Sequence, residues 1–162
     1  MKEDVKLSGI VEADETMIGG RRYGGKRGRG AKKEIVVGAV QRGGKLLMRH
    51  IPSAESVHIS PHFSAIEPRS TLVTDEWRAY RRVAKKNNLK HEAIKHKEYM
   101  WTLGPWNTNT IEGQWSHVKK AIRGTYNAVS KRHLQKYLDE RAFSFNHRGE
   151  DRFLLLLGCL RL

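Results

Sequence analysis

Cysteine is almost absent from these 162 residues: Cys159 stands alone. Neither an internal disulfide nor a thiolate zinc site can be built from one thiol, so a reducing compartment is expected. Long apolar runs are missing as well. The longest, Phe153 to Leu157, continues past Gly158 into Cys159 and Leu160, short of the roughly 18 residues that suggest a membrane span. The opening Met1-Lys2-Glu3-Asp4-Val5-Lys6 lacks the apolar centre of a signal peptide. These absences lead us to expect a cytoplasmic chain with no membrane contact. Acids are scarce too, 17 against 31 Lys and Arg, for a formal charge of +14. Such an excess attracts phosphate backbones, and it opposes a compact fold until nucleic acid or counterions neutralise it. Basic structural proteins and nucleic-acid enzymes share this balance, so charge alone does not choose between binding and catalysis.

The length suits one domain with a real core, and 38% hydrophobic against 30% charged residues is compatible with one. Residues 9–18 alternate, with Val11, Ala13 and Met17 opposite Glu12, Asp14 and Thr16, as in a half-buried strand. Residues 19–33 hold six glycines and seven Lys or Arg and predict a flexible basic loop. Residues 34–40 and 45–51 read as strands joined by Arg42-Gly43-Gly44, a turn at hairpin spacing. A weak helix is expected over 53–66, anchored by Val57 and Phe63, and a short β-branched strand over 70–74. Asp75-Glu76-Trp77 would then open a helix with Trp77, Tyr80 and Ala84 on one face. A strand near 92–94 and a loop through Trp101 and Trp106 follow. Ile111, Trp115, Val118 and Ile122 form one stripe of a helix stopped by Gly124, and Ser130 would cap a last helix with Leu134, Leu138, Ala142 and Phe145 buried.

This order predicts an α/β fold of RNase H-like type: a mixed sheet of a three-strand meander plus two helix-linked strands, flanked by helices. Asp14 would lie on its central strand, Asp75 at the end of the next and Glu112 on a late helix. Sixty residues separate the aspartates and 36 separate Asp75 from Glu112. Phosphodiester chemistry is served by two divalent ions about 3.5 to 4 Å apart. Hard ions such as Mg²⁺ need only two or three carboxylates from the protein. Lys119 lies two turns beyond Glu112, on the same side with about 10 Å of rise between them, where it would meet a substrate phosphate.

Each residue also has an ordinary structural use. Asp14 would line the wet face of an edge strand beside Glu12, Asp75 would cap its helix, and Glu112 lies at capping-box spacing from Asn109. Lys119 would be a solvated charge. The pairs His58/His62 and His91/His96 lack a regular zinc-ligand spacing, and no structural zinc is expected. Trp101 and Trp106 would stack on an unpaired base or anchor their own loop.

The wording of the segments adds to their spacing. Val11-Glu12-Ala13-Asp14-Glu15-Thr16 with Ile18-Gly19-Gly20, Val37-Gly38-Ala39-Val40 and Thr74-Asp75-Glu76-Trp77-Arg78-Ala79-Tyr80 resemble the ISXO-like DDE transposase domain of bacterial insertion sequences. Asn107 to Ser116 followed by Lys119, then Arg123-Gly124-Thr125-Tyr126, Ser130, His133-Leu134 and Asn146-His147-Arg148 are similar to its C-terminal signature. The resemblance implies that Asp14, Asp75 and Glu112 are a metal-binding catalytic triad with Lys119 as the lysine that follows. It implies an RNase H-like fold and DNA cleavage and strand transfer with Mg²⁺, for which Mn²⁺ substitutes. Transposon ends and target DNA are the implied partners, met by a homo-oligomer assembled on DNA and nucleoid-associated when bound. Glu12, Glu15 and Glu76 are not carried over as ligands.

Arg21, Arg22, Lys26, Arg27, Arg29, Lys32 and Lys33 in the basic loop, with Arg123, are the candidate DNA contacts, sequence-tolerant ones in the case of the loop. Residues 1–8 are read as a lead, 9–148 as the catalytic domain and 149–162 as an apolar tail packed on the core or a partner. With 13 residues before Asp14, no zinc-binding or helix-turn-helix region for reading transposon ends is expected within the chain. Two other functions fit the residues: a non-catalytic basic nucleic-acid binder, and an RNase H-like nuclease without strand transfer.

Overall fold

The computed structural model describes residues 4–19, 33–94, 106–126 and 129–159. Its elements are β1 (Ile10–Ile18), β2 (Glu34–Gln41), β3 (Leu46–Ile51), α1 (Ser56–Phe63), β4 (Thr71–Asp75), α2 (Arg78–Lys86), β5 (Lys90–Ile94), α3 (Asn109–Gly124), α4 (Lys131–Asn146) and α5 (Arg152–Cys159). The five strands form one sheet in the order β3-β2-β1-β4-β5. β1 runs antiparallel to β2, β2 antiparallel to β3, and β1, β4 and β5 are parallel. A hairpin suffices for antiparallel neighbours, and Gly43 at φ +70° supplies the left-handed residue between β2 and β3. Parallel neighbours need a crossover, which α1 and α2 provide. The meander, the central β1 and the two helix-linked strands make this an RNase H-like mixed sheet.

Alternation along β1 sorts its side chains between two cores. Val11 and Ala13 join Val37, Ala39, Ile59, Phe63, Tyr80, Val83 and Ala84 on the face covered by α1 and α2. Ile18, with Val36, Val40 and Met48, meets Ile111, Trp115, Val118, Ile122, Leu134 and Leu138 of α3 and α4 on the other. Burying a Leu, Ile, Val or Phe contributes roughly 1.5 to 3 kcal/mol, so covering both faces is what holds a sheet of short strands. α4 also seals the edge strand. The Asn146 side chain accepts from the Leu46 N–H (2.7 Å) and donates to the Leu46 carbonyl (3.1 Å), while Gln135 accepts from the His50 N–H (2.8 Å) and donates to the Met48 carbonyl (3.1 Å). These bonds occupy backbone groups that an open edge would offer to another strand.

Four expectations change. α1 is shorter than 53–66, and its anchors are Ile59 and Phe63, with Val57 62% exposed. α2 starts at Arg78, because the Asp75 carboxylate accepts the Trp77 N–H (3.0 Å) and holds the chain extended there. Trp77 is consequently 51% exposed and the buried face of α2 is Tyr80, Val83 and Ala84. Ser130 takes the N-cap position of α4 without a side-chain cap bond. Nor is α4 last: the apolar tail forms α5, whose Phe153, Leu154, Leu156 and Leu157 are 41–68% exposed rather than packed on the core. Among the described residues no helix is long and apolar enough to cross a membrane.

Candidate active site

β1 is the middle strand, so Asp14 does not lie on a wet edge. The β1–β4 ladder ends with Glu12 opposite Val73, and Asp14 and Asp75 lie two residues further along each strand. There β4 stops while β1 continues beside β2 as far as Ile18 opposite Glu34. A crevice between parting strands at their C-terminal ends is where open α/β sheets gather ligands. One carboxylate oxygen each from Asp14, Glu15 and Asp75 lies within 4.8 Å of the others, the only such set of three or more His, Cys, Asp or Glu among the described residues.

Neighbouring side chains aim each acid. The Trp115 indole Nε1 of α3 donates to Asp14 Oδ2 (3.0 Å), and the Tyr80 hydroxyl of α2 donates to Glu15 Oε2 (2.7 Å). Asp75 accepts the Trp77 N–H in a turn and does not cap α2, whose N-cap is Trp77. Glu112 is exposed in the first turn of α3, and its Oε1 accepts the Thr108 hydroxyl (2.7 Å). The Asn109 capping box does not form, since Asn109 is already helical and Thr108 is the N-cap.

The sequence matches the profile of the ISXO2-like transposase domain over residues 6–146. The chain belongs to this family. No curated protein matches it. Among solved structures it is similar to a chain of the simian T-cell lymphotropic virus intasome in complex with PP2A regulatory subunit B56 gamma. That match has 14% identity and a TM-score of 0.48, covering 85% of this chain and 49% of the other. It is also similar to a chain of a pre-cleavage Mos1 transpososome, with 11% identity and a TM-score of 0.48 over 83% and 48% of the two chains. The chain thus spans about half the length of these solved chains.

For a DDE transposase domain, the structure brings two of the three expected acids, Asp14 and Asp75, into one cluster. Glu15 completes the close set and Glu112 stands outside it. Glu112 is still near enough for its charge, with that of Asp75, to act on Asp14. Glu15 is not among the ligands expected from sequence, and strict alternation would send it and Asp14 to opposite faces of the sheet. At the end of the β1–β4 ladder both neighbours reach the same crevice.

Burial, then the charges of Asp75 and Glu112, raise Asp14 above the usual carboxylate range, against the lowering effect of its bonds to the Glu15 N–H and Trp115. Burial also raises Glu15, with Asp14 and Asp75 adding to it and the Tyr80 hydroxyl opposing. Among the described residues no Lys or Arg forms an ion pair with Asp14, Glu15, Asp75 or Glu112. An oxygen-only donor set with surplus negative charge fits a hard divalent cation. A carboxyl raised in the folded state favours the native fold when protonated, and that contribution is lost as pH rises from the unfolded value through the folded one. Mg²⁺ competes with those protons. The rise in melting temperature on adding MgCl₂ is therefore expected to be largest near neutral pH and to shrink as pH falls into the carboxylate range, as differential scanning fluorimetry would show. A shift independent of pH would contradict metal binding by these acids.

Lys119 is half-buried on α3 and makes no hydrogen bond or ion pair among the described residues. Arg123 is exposed in the last turn of α3 and Lys33 is exposed just before β2. Arg21, Arg22, Lys26, Arg27, Arg29 and Lys32 lie outside the described residues, as do Trp101 and His96. Two of the other paired histidines have local uses: His58 Nδ1 pairs with the Ser53 hydroxyl (2.8 Å) and His91 Nε2 with that of Thr74 (2.9 Å). Sequence reasoning passed over α2 as a basic surface. Arg78, Arg82, Lys85 and Lys86 are exposed there, with no ion-pair partner among the described residues. Their signal was a run of cations interrupted only by Ala79 and the buried Tyr80, Val83 and Ala84.

Proposed function

We propose that this domain cleaves and joins DNA strands in transposition of an insertion sequence, with Asp14, Asp75 and Glu112 as its metal-holding acids and Glu15 as their close neighbour. The observation that carries the reading is the meeting of Asp14 and Asp75 where β1 and β4 part, without an internal cation among the described residues, in a transposase-domain chain. Bound Mg²⁺, or Mn²⁺ in its place, would activate the attacking oxygen and stabilise the leaving one. In the first step water attacks phosphorus at the transposon end and frees a 3′-hydroxyl. That hydroxyl then attacks a target phosphorus, forming the new phosphodiester as the old 3′-oxygen leaves.

The chain's own residues orient and attract. Trp115 and Tyr80 hold Asp14 and Glu15 by their hydrogen bonds. Lys119 serves as a point charge for a phosphate of the reacting strand. Lys33, Arg123, the basic segment before β2 and the cations of α2 track the remaining backbone, giving salt-dependent binding. Paired ends call for self-association on DNA, in the cytoplasm and at the nucleoid.

The test is nicking of supercoiled plasmid in Mg²⁺ or Mn²⁺, with Asp75→Asn alongside and binding followed by gel shift. The expected result is nicking by the wild type, none by the variant, and binding by both. Equal nicking by both would remove Asp75 from the site. Joined products distinguish strand transfer from simple hydrolysis, and binding without nicking in any metal would favour the non-catalytic function.

A further inference from the structure

Glu12 is fully buried, although it is a carboxylate on the central strand two residues before Asp14. Its Oε1 accepts from Arg42 Nε (2.8 Å) and the Thr110 hydroxyl (2.9 Å). Its Oε2 accepts from the backbone N–H groups of Thr110 (2.8 Å) and Ile111 (3.2 Å). Thr110 and Ile111 are the second and third residues of α3, and the helix has no side-chain cap of its own. Glu12 therefore satisfies, from across the fold, two N–H donors that an N-cap side chain ordinarily serves, and its charge complements the positive end of the helix. Arg42 completes the clamp by donating from Nη2 to the Asn107 carbonyl (3.0 Å), just before the helix.

A buried carboxylate costs folding free energy unless every lone pair is used. A serine or aspartate at position 108 would cap α3 locally without that cost, but would not tie the helix to the sheet. The tie from Glu12 relates the first turn of α3 to β1 itself. Glu112 lies one residue beyond Ile111, and Asp14 lies two residues beyond Glu12. We infer that Glu12 is a positioning residue, a buried anion that docks the first turn of α3 on the central strand and thereby sets the reach of Glu112 toward Asp14 and Asp75. The inference rests on the reading of Glu112 as a metal-holding acid. Glu12 itself is fully buried, with both carboxylate oxygens taken up by donors of the chain.

Mn²⁺ affinity of the purified chain, measured by electron paramagnetic resonance well below the melting temperature, separates this role from stability alone. Glu112→Gln is expected to weaken Mn²⁺ binding about tenfold and Glu12→Gln by a comparable factor, as for residues that orient a ligand. Because the one acts through the other, the double variant should bind no more weakly than Glu112→Gln alone. A folded Glu12→Gln with wild-type affinity, or a double variant that loses the product of both factors, would overturn the inference. Unchanged affinity in Glu112→Gln would instead overturn the reading beneath it, and the inference with it. Should Glu12→Gln fail to fold, Thr110→Val decides, since it removes only the hydroxyl bond to Glu12. It should weaken Mn²⁺ binding about threefold, with no further loss when combined with Glu112→Gln, and wild-type affinity there would overturn the inference.

Discussion

Asp14→Asn is expected to lower the rate of plasmid nicking at least about a thousandfold, equivalent to about 4 kcal/mol of barrier, while raising the melting temperature of the metal-free protein. The two effects have one cause. Asp14 is held above the usual carboxylate range by burial and by the charges of Asp75 and Glu112, so at neutral pH its ionised form opposes folding. Asn removes that charge and still offers an oxygen to the Trp115 indole N–H, which now meets Asp14 Oδ2 at 3.0 Å. The same change deletes a ligand from the centre of the site. Stability gained at the expense of activity is the usual signature of a functional acid cluster. Thermal unfolding with and without MgCl₂, beside the nicking assay, reads both. A variant that is less stable without metal, or as active as the wild type, would show that Asp14 is a structural acid.

Gly38→Val is expected to fail for a steric reason and to reach the same site through packing. Gly38 lies opposite Asp14 in the β1–β2 ladder. A Cβ there would sit 2.6 Å from Trp115 Cη2, 2.8 Å from Cζ2 and 2.9 Å from Ile111 Cδ1. The indole lies flush on the strand at this point, 4% exposed, and extends its N–H to Asp14 across the space a side chain would fill. Overpacking a core typically costs about 1 to 3 kcal/mol, and each kcal/mol lowers the melting temperature of a domain this size by roughly 2 to 4 °C. Lifting α3 from the sheet also misplaces Glu112, and a displacement of about 1 Å is enough to cost a hundredfold in rate. Circular dichroism melting with the nicking assay checks both parts. A Gly38→Val protein with wild-type stability would mean that the indole does not pack there.

Much of the fold was legible because period and burial coincide. The stripe Ile111, Trp115, Val118, Ile122 is the buried face of α3, and Val11 and Ala13 are core as their period predicts, although on β1 Glu12 is buried too and Met17 is exposed. The Gly43-Gly44 turn was visible as a composition break. Val57 and Trp77 were misjudged for the opposite reason: they are apolar but exposed. Hydrophobicity indicates what a chain gains by burying a residue, not whether a neighbour is there to bury it. Trp77 stays out because a side-chain bond from Asp75 keeps it ahead of the helix.

Among the acids, Asp14, Asp75 and Glu112 were singled out by their places in the element order and by family wording, both of which are properties of the linear chain, although Glu112 lies outside the close set. Glu12 and Glu15 were set aside, since nothing linear distinguishes them from surface acids. Their roles depend on residues far along the chain: Thr110 and Ile111 for Glu12, Tyr80 for Glu15. The sequence by itself determined the strand and helix order, the basic character and the membership of a transposase family, because these follow from local periodicity, composition and motif. Only the tertiary structure decided which acid lies in the crevice and which is buried as an anchor. Burial, hydrogen bonding and like-charge repulsion act between side chains that meet in space, whatever their separation along the chain.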